Sequence, residues 1–196
     1  MTLIIGNRPF TVADAAAWQQ PDSEVLVGTA GSQTDLFVDP KTGSATLNAP
    51  RLLSPPPAGD FQFSARVEVE FRGTFDAGVL LLWAAPESWA KLCFEFSPQG
   101  QPMVVSVVTQ GRSDDANAFS VDSRTVWLRI SRIDEAYAFH ASTDGQWWHL
   151  IRQFTLGALP TEVGFEVQSP VGDGCRATYT QISFTDGTLQ DLRDGR

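Results

Sequence analysis

The stretch Ser88–Phe96, with the sequence SWAKLCFEF, is the clearest guide to the fold because its residues alternate with the period of a β-strand. One row of alternate positions is apolar and consists of Ala90, Leu92, Phe94 and Phe96. The opposite row consists of Trp89, Lys91, Cys93 and Glu95. We expect the first row to face a core and the second to lie on an open face. There, an aromatic ring beside an ammonium and a carboxylate indicates a ligand site.

The same alternation recurs along the rest of the chain. Residues Phe61–Phe71 place every second side chain in an apolar row, and Val126–Ile133 and Thr161–Gln168 repeat the pattern. The run Ala77–Trp83 is apolar on both faces, which predicts a central strand. About twelve short strands, with turn signals every ~8–12 residues and almost no helical period, predict an all-β sandwich of two antiparallel sheets.

One domain accounts for the whole chain. A length of 196 residues with 42% apolar residues suits a single core, and thirteen Phe and six Trp make that core bulky. The proline-rich segment 54–60 is a stiff connector rather than a linker, because strands of one kind lie on both sides of it. We therefore predict a single domain over residues 1–185 and a polar C-terminal tail over residues 186–196.

Charge and composition restrict the partners. The net charge is −9, so a nucleic-acid groove or an anionic membrane surface is a poor partner, whereas a glycan, another small polar ligand or a protein fits. No basic leader begins the chain, and no run approaches the ~20 apolar residues of a membrane helix. Together with two cysteines, Cys93 and Cys175, interpreted as unpaired small hydrophobes, these features predict a soluble cytoplasmic protein.

Motifs for metal or cofactor chemistry are missing from the sequence. The two histidines, His140 and His149, fall on different predicted strands without a metal-binding spacing. Residues Asp114, Asp115 and Asn117 could offer oxygen ligands to calcium, but a solvated turn is the simpler interpretation. There is no G-x-S-x-G, G-x-G-x-x-G or P-loop motif. We predict neither a metal nor a cofactor.

Glycoside hydrolysis needs two carboxylates about 5.5 Å or 6.5–9.5 Å apart across the scissile bond. The row of Lys91, Cys93 and Glu95 supplies one of them. A partner would have to come from another strand, and Glu166 is the best candidate. A hydrolase using Glu95 with Glu166 is therefore an alternative hypothesis.

Six segments together carry a family resemblance. They are AGVLLLW (77–83), ESWAKLCFE (87–95), SVVTQGRSD (106–114), VWLRISR (126–132), STDGQWW (142–148) and VGFEVQSP (163–170). This series resembles the family labelled "regulation of enolase", whose domain looks like a concanavalin A-type lectin/glucanase jelly roll. The resemblance implies that fold and a groove, but no catalytic residues. Glucanases of this fold carry Glu-x-Asp-x-x-Glu on a groove strand, and Lys91–Glu95 lacks that carboxylate pair.

These observations predict a ligand groove on the concave sheet, with the polar loop Gly111–Asn117 at its rim. Its candidate residues are Trp89, Lys91, Glu95, Arg112, Ser113, Asp114, Glu166 and Gln168. The first hypothesis is a non-catalytic carbohydrate- or polar-ligand-binding domain. The second is an intracellular regulatory or protein-interaction protein linked to carbohydrate metabolism, as the family label implies. The simplest competing interpretation makes Lys91 and Glu95 an ordinary ion pair on a solvated face.

Overall fold

The stretch Ser88–Phe96 forms a nine-residue strand in the computed structural model of the chain, which describes residues 1–12, 14–157 and 159–196. Ala90, Leu92 and Phe94 are fully buried in the core between two sheets, so the predicted alternation is confirmed. Phe96, at the end of the strand, is partly exposed and stacks on Phe71 with ring centroids 5.3 Å apart.

The first sheet has eight strands in the described residues. In spatial order they are β1 (Thr2–Ile5), β2 (Arg8–Val12), β7 (Arg51–Ser54), β16 (Glu162–Gln168), β9 (Ala77–Ala85), β10 (Ser88–Phe96), β11 (Pro102–Gln110) and β12 (Arg112–Ser120). All of the pairings are antiparallel. The predicted central position of Ala77–Trp83 is confirmed, because β9 lies between β16 and β10.

The second sheet has seven strands in the same described residues. In spatial order they are β15 (His149–Phe154), β14 (Ala136–Ser142), β13 (Thr125–Ile133), β8 (Phe61–Glu70), β17 (Arg176–Asp186), β4 (Val25–Thr29) and β3 (Trp18–Asp22). A separate hairpin pairs β5 (Leu36–Val38) with β6 (Ala45–Leu47). The described residues contain no helix with the length and apolarity needed to cross a membrane. The predicted sandwich of two antiparallel sheets is confirmed.

One part of the strand prediction is wrong. Gly111–Asn117 is not a loop, because Arg112–Ser120 pairs with β11 along its length as the edge strand β12. Most of its side chains are exposed, so its polar sequence resembles that of a loop. Polar and charged residues on an edge strand discourage pairing with other chains, which explains this composition.

Aromatic rings fill the space between the sheets. Phe63 of β8 stacks on Phe184 of β17 with centroids 4.5 Å apart, and it meets Phe165 of β16 edge-on at 5.2 Å. Phe63 and Phe165 are fully buried, and each such contact contributes about 0.5–1.5 kcal/mol beyond the area that it buries. The predicted bulky core therefore joins the two sheets.

Tyr179 joins the two sheets by hydrogen bonds. This fully buried side chain of β17 donates from Oη to the Glu166 carbonyl oxygen at 2.5 Å and accepts from the Val79 amide at 3.0 Å. Glu166 and Val79 face each other in the register of β16 and β9. The phenol thus holds together the two strands that lie behind the site described below.

The predicted C-terminal tail begins where β17 ends, and it lies against the outer face of the second sheet. Arg129 donates to the Gly195 carbonyl at 2.6 Å, and His140 Nε2 lies 2.8 Å from the Leu192 carbonyl oxygen. Burial lowers the pKa of His140 to about 4; the bond to Leu192 opposes this, and the Arg129 charge adds to it. This part of the second sheet is therefore covered.

Gly164 tests the packing of β16 against β7. A Cβ at this position would lie 1.9 Å from the Leu52 carbonyl oxygen, so Gly164→Ala has to separate the two strands. We expect the free energy of unfolding to fall by ~3 kcal/mol, the upper part of the usual range for overpacking. Gly31→Ala is the control, because its nearest neighbour would be 4.0 Å away. Equal stability of the two variants in urea would contradict this strand packing.

Candidate functional site

The site lies on the face of the first sheet that points away from the core. Lys91 and Glu95 of β10 share this face with Glu166 and Gln168 of β16, since all four alternate with core residues in register. The cover hairpin, residues 35–47, lies over this face. The site therefore lies between the first sheet and the hairpin that covers it.

Trp89 departs from the expected open face. Its side chain is fully buried in a second apolar cluster with Leu36 and Val38 of the cover hairpin, and its indole Nε1 donates to the Pro86 carbonyl at 3.3 Å. The expectation that this ring lines a groove is wrong, because the hairpin occupies the space in front of it. Trp89 anchors the cover rather than contacting a ligand.

A cavity of ≈130 Å³, called the Lys91 cavity here, opens beside the cover hairpin. Its lining residues are Asp35, Phe37, Phe75, Lys91, Glu95, Val107, Asp115, Gln168 and Pro170. Three of the predicted residues, Lys91, Glu95 and Gln168, meet in it. Asp35, Phe37, Phe75 and Asp115 also line it, although the sequence did not place them among the groove residues.

Lys91 is buried in the wall of this cavity with 2% of its side chain exposed. Its Nζ donates to Gln168 Oε1 at 2.7 Å and to Asp35 Oδ1 at 3.2 Å. Burial alone would lower the pKa of the ammonium, but the attraction of Asp35, Glu166 and other acidic groups raises it overall. Lys91 therefore stays charged, and the interpretation of Lys91 and Glu95 as a solvated surface pair is wrong.

Glu95 is the carboxyl group left without a partner at the cavity wall. It is 9% exposed, and within the described ranges it has neither a hydrogen bond nor an ion pair. Burial raises its pKa to about 8; the Lys91 charge lowers it, while Asp115, Asp35 and Glu166 raise it further. An unpaired carboxyl with a strongly raised pKa at the wall of a cavity is a candidate binding position.

Glu166 does not reach the cavity. It is fully buried, and neither carboxylate oxygen finds a hydrogen-bond partner in the described part of the chain. Burial raises its pKa to about 7; the charges of Lys91 and Arg51 lower it and that of Asp35 raises it. Strand β9 separates it from β10, which puts its Cα about 12 Å from that of Glu95 by sheet spacing. Because Glu166 is fully buried outside the cavity that Glu95 lines, the two carboxyls do not flank one substrate position.

The predicted rim residues hold the cover hairpin instead of lining the cavity. Ser113 is buried and its Oγ accepts from the Val38 amide at 2.9 Å. Arg112 donates to the Asp39 carbonyl at 3.0 Å, so both residues fasten the hairpin to β12. Asp114 points to the surface, where it pairs with Arg152 at 3.3 Å.

Asp115 shares the face of Ser113 by strand alternation and lies at the cavity edge. Burial raises its pKa, while Lys91 and Arg152 lower it. A period of two applied to Arg112–Ser120 would have identified this residue. The polar composition of the segment concealed that period.

Phe75 forms the aromatic rim of the cavity. Its φ of +67° lies in the left-handed region, which costs a non-glycine residue about 1–2 kcal/mol. Two backbone hydrogen bonds hold it there: its amide donates to the Phe96 carbonyl at 2.7 Å, and its carbonyl accepts from Gln168 Nε2 at 3.1 Å. The ring is 37% exposed, so local strain is maintained at a position that presents an aromatic surface to solvent.

Metal and thiol chemistry find no support at this site. In residues 1–12, 14–157 and 159–196, no group of three or more His, Cys, Asp or Glu side chains is placed to hold a metal ion. Cys93 and Cys175 are free and buried. Burial raises the pKa of Cys93 well above its usual value and that of Cys175 to about 12, so both thiols stay protonated at neutral pH.

Residues 12–187 match the family described as "Protein of unknown function (DUF1349)". The chain belongs to this family. A functionally unknown protein from Saccharomyces cerevisiae has a similar structure, with 21% identity and a TM-score of 0.81, covering 91% of this chain and 96% of that one. The label "regulation of enolase" is not confirmed. No curated protein matches the DUF1349 chain by sequence.

Two solved carbohydrate-related structures share the fold. The GH43 protein BlXynB from Bacillus licheniformis aligns over 87% of this chain and 35% of its own, with 12% identity and a TM-score of 0.71. The carbohydrate-binding module CBM66 from Bacillus subtilis aligns over 93% and 97%, with 11% identity and a TM-score of 0.56. The predicted jelly-roll sandwich is confirmed, and at these identities the likeness is one of fold.

The buried carboxyls make stability depend on pH. The folded-state pKa values of Glu166 and Glu95, about 7 and about 8, exceed the usual 4.5. The folded protein therefore binds more protons in this window, and the free energy of unfolding falls as the pH rises from 4.5 to about 8. Glu166→Gln should remove part of this fall, on the order of 3 kcal/mol for a shift of this size.

The measurement is urea unfolding at several pH values, with Glu68→Gln as the control because Glu68 is an exposed carboxyl of the second sheet. If Glu166→Gln and Glu68→Gln leave the same pH dependence as the unaltered protein, Glu166 is not a protonated buried group.

Proposed function

We propose that this DUF1349 protein is a non-catalytic binding domain that holds one small polar ligand, such as a single sugar unit, in the Lys91 cavity. The observation that carries the proposal is Glu95, a carboxyl that is nine-tenths buried, lines the cavity and has no partner within the described residues. A hydroxyl or an amine of a bound ligand would supply the hydrogen bond that the Glu95 carboxyl lacks. Beside it, Asp115 and Gln168 offer further polar groups for orientation.

The size of the cavity favours a single unit over a polymer. Its ≈130 Å³ is below the ~300–1,000 Å³ of most ligand pockets, so a chain of several sugars does not fit inside. Phe37 and Phe75 supply apolar surface on which a sugar ring can stack, while the polar groups of the wall bind its hydroxyls. This division of apolar and polar surface suits a carbohydrate.

The structural neighbours support the same class of ligand. Two of them are a carbohydrate-binding module and a GH43 protein, and the DUF1349 chain has the fold of the former over nearly its whole length. The chain covers only about a third of the GH43 protein, so the activity of that protein is not transferred. Ligand binding in this chain is inferred from its own cavity.

The alternatives have less support from the geometry. A hydrolase using Glu95 with Glu166 is disfavoured because Glu166 is fully buried outside the cavity. A regulatory protein that grips a partner's segment is disfavoured because the cavity admits only a small group. A regulatory role through binding a sugar unit remains compatible with the proposal. A cytoplasmic location is also part of it, supported by the two unpaired cysteines.

Phe75→Ala tests the cavity directly. A glycan array first identifies a ligand, and calorimetry then compares its affinity for the unaltered and altered proteins. We expect binding to weaken roughly fivefold, because one aromatic contact with a ring contributes on the order of 1 kcal/mol. Stability should change little, since Phe75 is exposed and the alanine keeps the same backbone position.

The matched control is Trp147→Ala, which removes another exposed aromatic ring, 55% accessible and next to the second sheet. It should leave affinity unchanged. Equal affinity of the Phe75 and Trp147 variants for the ligand would exclude the Lys91 cavity as the binding position.

A further inference from the structure

The charges in the Lys91 cavity are unbalanced. Three carboxyls, those of Asp35, Glu95 and Asp115, line it together with the single ammonium of Lys91. Asp35 already pairs with that ammonium, and the nearby cation Arg152 pairs with Asp114. Glu95 and Asp115 are therefore left without an ion-pair partner in the described residues.

The ammonium of Lys91 is not available to an acidic ligand. Two of its three possible hydrogen bonds go to Gln168 and Asp35, and only 2% of the side chain is exposed. An incoming carboxylate would lie beside Asp115 without a free cation to pair with, and like charges at short range repel strongly. The cavity therefore disfavours sugar acids and phosphorylated sugars.

We propose that the Lys91 cavity selects a ligand with a protonated amine, an amino sugar, over the corresponding neutral and acidic sugars. This inference rests on the binding function proposed above and adds the ligand class. The ammonium would lie between Glu95 and Asp115, the two carboxyls without a cation. Charge-assisted hydrogen bonds of this kind are about twice as strong as neutral ones.

Two further features favour a cation. The rings of Phe37 and Phe75 line the same cavity, and the face of an aromatic ring attracts a positive charge within ~6 Å. The net charge of −9 on the whole chain also raises the local concentration of cations relative to anions. Both effects, like the unpaired carboxyls, favour a positively charged ligand.

Proton release on binding distinguishes an amine ligand from a neutral sugar. Near neutral pH the Glu95 carboxyl is largely protonated, because its pKa of about 8 reflects burial and the charges that face it. Those charges are Lys91 on its own strand, Asp115 on β12, Asp35 before β5 and Glu166 on β16. An ammonium beside Glu95 favours the carboxylate, so binding releases a proton. A neutral sugar leaves the proton in place.

The experiment is calorimetry near pH 7 with glucosamine, glucose and glucuronate, each in two buffers of different ionisation enthalpy. We expect glucosamine to bind roughly tenfold or more tightly than glucose, with net release of protons, and glucuronate to bind least. Glu95→Gln should abolish the proton release and bring the ratio of glucosamine affinity to glucose affinity close to one. The control is Glu68→Gln, which removes an exposed carboxyl of the second sheet and should change none of these values.

Each outcome separates the inference from the proposed function. Equal affinity for glucosamine and glucose, without proton release, overturns selection of an amine and leaves the binding domain in place. Binding of none of the three sugars, with no other ligand found on a glycan array, overturns both proposals. Cyclohexylamine is a ring-shaped amine without hydroxyls. If it binds as tightly as glucosamine, selection of an amine is supported and the sugar class is overturned.

Discussion

The ion pair and hydrogen bond of the buried Lys91 ammonium are the interactions on which the site depends. Removing an ammonium from water costs several kcal/mol, so the charge persists only because Asp35 and Gln168 surround it. Asp35 belongs to the cover hairpin, residues 35–47, and Gln168 belongs to β16. The same charge thus joins the cover to the sheet and leaves a cavity between them.

Gln168 connects the Lys91 ammonium to the rim of the cavity. Its side-chain oxygen accepts from Lys91, and its amide nitrogen donates to the carbonyl of Phe75. The ring of Phe75 is therefore presented by a backbone that two hydrogen bonds hold in a strained conformation. Behind the site, Tyr179 bonds the backbones of Glu166 and Val79 across the core. Rigid support of this kind reduces the entropy that a ligand has to overcome.

The fold and the faces of its strands could be predicted from local periodicity, but the cover over the site could not. The alternation in Ser88–Phe96 placed Lys91 and Glu95 opposite the core, because a period of two is a local property of the chain. Burial of Trp89 depends on the hairpin, which Ser113 fastens by a bond between residues 75 positions apart. Contacts between residues so far apart in the chain do not produce a periodic pattern in the sequence. Phe75 was missed for the same reason, since its conformation depends on Phe96 and Gln168.

The site depends on Lys91 being a buried ammonium that is charged at neutral pH, and the chain contains a second lysine for comparison. Its two lysines are Lys41, exposed in the turn of the cover hairpin, and Lys91. Reductive methylation with ¹³C-formaldehyde, followed by NMR, reports how fast each amine reacts. Since only a neutral and accessible amine reacts, we expect rapid modification of Lys41 and none of Lys91 in the folded protein. Equal rates of modification of Lys91 and Lys41 in the folded protein would contradict it.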